Sequence, residues 1–101
     1  MATALPTLTE KIAEFARARK WEQYHTPRNI CLALLGEVGE LAELVQWKGD
    51  DDDDLKFEAK EIDKLSQELA DVTIYLLRLV SQCDLVAEVC QGLKDCSNHS
   101  E

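Results

Sequence analysis

The sequence predicts an all-α domain of four antiparallel helices. Apolar residues recur at helical spacing along four segments, helix-start signals precede two of them, and no segment reads as a strand. The chain has 101 residues, 46% hydrophobic and 31% charged. That balance belongs to a folded domain rather than a disordered chain. One domain is expected over 1–101, with its core at about 7–96. A domain this small withdraws only roughly 60–65% of its unfolded surface from water. Its core is therefore thin, and a second subunit would add to it.

The first helix is expected to start at the capping box TLTE, Thr7 to Glu10, and to end near Lys20. Thr26 and Pro27 start the second, over about 27–47: threonine caps, and the missing proline N–H is one that has no helical partner anyway. Gly36 and Gly39 share one side of it, which suggests close approach of another helix. The aspartate run in KGDDDDDLK repels itself and predicts a solvated loop over 49–56. It lacks the alternating ligands and turn glycine of a calcium loop. A third helix is expected over 57–82, with Leu65, Leu69, Val72, Leu76 and Leu79 as its stripe, and a fourth over 85–96.

A net charge of −9 argues against a nucleic-acid polymer as partner. The four cysteines show no zinc spacing, and Cys31, Cys83 and Cys90 read as small reduced core residues. No signal-peptide pattern is visible, and the longest apolar run is too short to cross a membrane. A soluble, cytoplasmic protein is the corresponding expectation.

The acids carry the chemistry. On a helical wheel begun at Ile30, Glu37 falls at about 340°, inside the apolar arc, and Glu40 at about 280°, on its edge. On a wheel begun at Glu61, Glu68 and Asp71 fall at the same two angles, about 340° and 280°. If the two helices pack together, four carboxylates meet. Two carboxylates about 4 Å apart repel by ~4 kcal/mol at an effective dielectric of 20. Such a cluster is either partly protonated or holds a cation. Oxygen-only ligands favour Mg²⁺ or Mn²⁺, and a di-iron centre would need an ExxH motif that is absent. Magnesium usually binds together with phosphates. Trp21, Trp47 and Tyr75 are then candidates to sandwich a nucleobase. The rival reading is a non-catalytic helical dimerisation or nucleotide-binding module.

The segments WEQYHTPRN, GEVGELAELVQWK and QELADVTIYLLRL closely resemble the dCTP pyrophosphatase family, within the MazG-like all-α nucleotide pyrophosphohydrolases. The resemblance spans about residues 9–98. It implies Mg²⁺-dependent hydrolysis of a deoxynucleoside triphosphate, foremost dCTP or modified dCTP, to monophosphate and pyrophosphate, a nucleotide-pool sanitation reaction. It implies Glu37, Glu40, Glu68 and Asp71 as the catalytic, metal-binding acids. It places Trp21, Glu22, Gln23, Tyr24, His25, Trp47 and Tyr75 around the nucleoside, and Lys94 and Asn98 near the phosphates. Ile12 stands where animal relatives often carry histidine, which bears on the preference for cytosine. The sequence closes on NHSE without the family's basic-aromatic tail. Dimers or dimers of dimers, with sites built across subunits, are the implied assembly.

Overall fold

The computed structural model describes residues 4–49 and 56–98, so most of the aspartate-rich loop and His99 lie outside the described residues. The regular structure is helical: α1 (Ala4–Ala18), α2 (Pro27–Val45), α3 (Ala59–Gln82) and α4 (Val86–Ser97).

α1 begins before the expected capping box, so Thr7 is an internal residue and not a cap. Pro6 explains the extension. It sits in the first turn, where an N–H has no intrahelical acceptor, so its missing donor costs nothing. The helix stops at Ala18, just short of Lys20, through a pair of bonds. The N–H of Trp21 donates to the Ala16 carbonyl at 2.9 Å and that of Lys20 to Arg17 at 3.0 Å. This is the Schellman arrangement, and Lys20 takes its left-handed position at φ 58°. Asp84 ends α3 the same way, at φ 57°, with Leu85 donating to the Val80 carbonyl at 3.0 Å.

Thr26 caps α2 as expected, its Oγ1 accepting from the Asn29 N–H at 3.2 Å. α3 starts at Ala59, and the Glu61 carboxylate accepts from the Glu58 N–H at 2.9 Å. The two helices run antiparallel. Lys48, past the end of α2, pairs with Glu61 in the first turn of α3 at 2.9 Å. At the opposite end Gln82 Nε2 donates to the His25 carbonyl at 2.7 Å. Lys48 Nζ also donates to the Lys56 carbonyl at 2.9 Å, so one ammonium holds both ends of the acidic connection.

The seam between α2 and α3 is the largest contact of the fold. Ile30, Leu34, Glu37, Leu41 and Leu44 meet Leu65, Glu68, Val72, Tyr75 and Leu79, all buried or half-buried. Both stripes step alternately by three and four residues, as knobs-into-holes packing requires. The α3 stripe differs from the expected one. Leu69 and Leu76 are 47% and 48% exposed, and the polar Glu68 and Tyr75 take their places inside. α1 packs chiefly on α3, and its buried residues include Ala13 and Ala16. α4 touches α1 and α3, not α2, and buries no residue.

The arrangement is open. Its radius of gyration is 16.0 Å, against about 13 Å for a compact chain of this length. Two expectations fail for that reason. Cys31 and Cys83 are exposed and Cys90 is half-buried, because the single chain lacks the core that would take them. No described residue would come within 4 Å of a Cβ at Gly36 or Gly39, which lie on the outer side of α2. No helix is long and apolar enough to cross a membrane.

Candidate functional site

The seam carries acids where leucines would pack. Glu37 and Glu40 come from α2 and Glu68 from α3, and one carboxylate oxygen of each lies within 4.8 Å of the others. Glu68 is 3% exposed, Glu37 half-buried and Glu40 exposed. Burial pushes the Glu37 carboxyl up, and the Glu68, Glu40 and Asp71 carboxylates add to the effect. Glu40 is raised first by the carboxyl of Glu68 beside it. Glu68 itself is lowered, because Lys64 Nζ lies 3.1 Å from its Oε1.

Oε2 of Glu37 and Oε2 of Glu68 are both buried and have no hydrogen-bond partner among the described residues. Orphaned acceptors are costly in a protein interior, and a cation is the partner that satisfies several carboxylates at once. The donor set is oxygen only, which suits Mg²⁺ or Mn²⁺. These residues therefore fit a hard divalent ion. Asp71 stands exposed on the next turn of α3 and does not belong to this close group; it acts on Glu37 through its charge.

Two turns beyond Glu68, roughly 10 Å along the helix, Tyr75 opens an aromatic cluster. Its ring lies 6.3 Å from His25, and His25 lies 5.4 Å from Trp21. The Schellman turn seats Trp21, whose indole packs edge-on against Phe15 at 5.3 Å. A contact of this kind commonly accompanies that motif. His25 Nδ1 accepts from Arg78 Nε at 3.1 Å. Burial, then the Arg78 charge, lowers the imidazole below its ordinary value.

Other expected site residues stand apart within the single chain. Trp47 is 86% exposed beyond α2. Glu22, Gln23 and Tyr24 are exposed on the turn between α1 and α2, and Ile12 is half-buried on α1. Lys94 and Asn98 are exposed on α4, which does not touch α2. Lys94 lines a shallow hollow with Pro6, Val86 and Cys90, none of which is an acid of the seam. Sequence reasoning missed Lys64 and the full burial of Arg78. Lys64 was findable as the residue one helical turn before Glu68. Arg78 shows as a lone cation inside the apolar run IYLLRLV.

A helical hairpin whose two arms both bring acids to their shared seam is an all-α domain with an acidic centre. Residues 25–91 match the model of the MazG nucleotide pyrophosphohydrolase domain, and the chain belongs to that family. It is 56% identical over 72 residues to dCTP pyrophosphatase 1 of Rattus norvegicus, a stretch covering 70% of this chain and 42% of that protein. It is 54% identical over 72 residues to dCTP pyrophosphatase 1 of Homo sapiens, with the same 70% and 42% coverage. The Bos taurus protein of that name is 53% identical over 72 residues, 70% of this chain and 43% of its own length. The chain thus spans about two fifths of the curated relatives it matches.

Proposed function

We propose that this chain is the helical core of a Mg²⁺-dependent nucleoside triphosphate pyrophosphohydrolase acting on a deoxynucleoside triphosphate, foremost dCTP or modified dCTP. The observation that carries the reading is the orphaned, buried carboxylate oxygen on each of Glu37 and Glu68, two residues whose carboxylates come together with Glu40 at the α2–α3 seam. A scaffold without chemistry gains stability by placing leucine at both positions. The names of the relatives support dCTP as first candidate.

Glu37, Glu40 and Glu68, with Asp71 as fourth acid, would hold the ion. Bound there, Mg²⁺ supplies charge neutralisation for the triphosphate and polarises a phosphoryl oxygen. Glu40 is the solvent-facing member of the close group and the acid that water reaches first. In the proposed reaction a carboxylate takes a proton as water adds to the α-phosphorus. The bond from that phosphorus to the bridging oxygen breaks, and pyrophosphate departs. Trp21, His25 and Tyr75 would receive the nucleoside about two helical turns away.

The assembly is proposed as a homodimer or a dimer of dimers. The chain exposes 7707 Å², whereas a compact monomer of its mass exposes roughly 5,800 Å². Leu32, Leu35, Leu69 and Leu76 are among its exposed apolar residues. A partner subunit is also the route by which Trp47, Lys94 and Asn98 would reach a site. The rival reading keeps the fold without turnover. Pyrophosphate release from a panel of deoxynucleoside triphosphates, with and without Mg²⁺, decides between them. Release with dCTP that needs the ion is expected; no release from any base sinks the enzyme reading. Light scattering in solution reads the assembly.

A further inference from the structure

Arg78 is 1% exposed and heads the fully buried side chains by volume. It makes no ion pair among the described residues, and its Nη2 is buried without a partner. Burial lowers the guanidinium's hold on its proton, and the Glu22 carboxylate opposes that only by charge, without an ion pair. A charge buried in this way is expensive, and a methionine would fill the same length without that cost. The described hydrogen bond of the guanidinium is the one from Nε to His25 Nδ1, at 3.1 Å.

That bond has a chemical consequence. A guanidinium only donates, so His25 Nδ1 must accept and carries no proton. Burial and the Arg78 charge both hold the imidazole neutral. A neutral ring with a bare Nδ1 has its proton on Nε2. The residue is fixed on the backbone side as well. Its carbonyl accepts from Gln82 Nε2 at 2.7 Å, and its N–H donates to the Trp21 carbonyl at 3.0 Å. The ring lies between Trp21 and Tyr75, with centroids 5.4 and 6.3 Å away.

We propose that Arg78 is a positioning residue that locks His25 as an Nε2–H donor, so that this wall of the aromatic cluster offers the nucleoside a donor and never an acceptor. The group it meets is then a carbonyl oxygen or an unprotonated ring nitrogen. The nucleoside part rests on the pyrophosphohydrolase reading; the locked tautomer stands on the geometry alone.

Long-range proton–nitrogen NMR of the nitrogen-15-labelled full chain tests it, in a His99→Gln background that leaves one imidazole. Without nucleotide, the spectrum at neutral pH should show His25 protonated on Nε2 only. Addition of dCTP with Mg²⁺ should shift the Nε2 resonance. Arg78→Met should return the ring to exchange between its tautomers and raise KM for dCTP several-fold, with kcat changing less; Arg78→Lys, which still donates, should recover part of both. An Nδ1–H ring in the otherwise unaltered chain overturns the lock, and that spectrum decides even if Arg78→Met does not fold. A locked ring indifferent to dCTP in a preparation that turns dCTP over overturns the nucleoside contact. If no triphosphate is hydrolysed, the enzyme reading fails by itself, and the nucleotide-free spectrum still judges the lock.

Discussion

Glu68 and Arg78 are the charged side chains that α3 buries, at 3% and 1% exposure. They are ten residues apart, roughly 15 Å along the helix, too far to neutralise each other. Their surroundings differ in kind. Glu68 meets Glu37 and Glu40 across the seam and has one lysine at its edge. Arg78 meets a neutral imidazole that accepts its proton-bearing Nε. The acidic end leaves two oxygens unsatisfied and calls for something from outside. The arginine end spends its Nε donor inside the protein, to orient another residue, and leaves only Nη2 over among the described residues. One helix thus carries one buried charge for a ligand and another for a neighbour.

Substitutions should separate the two ends. Glu37→Gln removes a ligand and a repulsion together. Turnover should fall by at least about 100-fold, while helical circular dichroism and the melting temperature without metal do not fall. Full turnover in that variant would refute the assigned centre. Ile30, 1% exposed on the same seam, is the contrasting control. Ile30→Ala should cost about 2–5 kcal/mol in urea unfolding, with kcat of the folded fraction unchanged. If it instead abolished turnover at low temperature, the seam's packing and its chemistry would not be separable.

The arginine end predicts a pH effect. His25 has its proton affinity lowered from the ordinary value of 6.5. Unfolded chain therefore binds the proton more tightly than folded chain. The contribution to stability is whole above pH 6.5 and is lost as pH falls through the lower folded value. Urea midpoints should decline over that window, and His25→Gln should remove this component. The smallest effect belongs to the helix stops. Asp84→Gly should stabilise by about 1 kcal/mol, because glycine takes a left-handed position without the Cβ clash. A loss of stability there would mean that the aspartate side chain contributes more than its backbone costs.

Much of this was legible in residue spacing. Thr26 and Pro27 marked the start of α2 because capping is local chemistry. The wheels put Glu37 and Glu68 inward because both follow from one helical period. The α3 stripe was misplaced at Leu69 and Leu76 because apolarity alone picks leucine over a glutamate or a tyrosine one residue earlier. The start of α1 was misread for a similar reason: TLTE has the letters of a cap, but Pro6 lets the helix begin upstream. The cysteines were expected inside because small apolar residues usually are, and periodicity does not reveal how open a four-helix arrangement is. The tie from Arg78 to His25 spans 53 positions, and no local pattern contains it.

Lys48 grips the Lys56 carbonyl and the Glu61 carboxylate at once, so the join between the two long arms is clasped independently of what runs between them. Chain inserted between Lys48 and Lys56 therefore leaves both anchors of the clasp in place. A fluorescent reporter spliced in there would be tethered beside the acidic end without asking the helices to move.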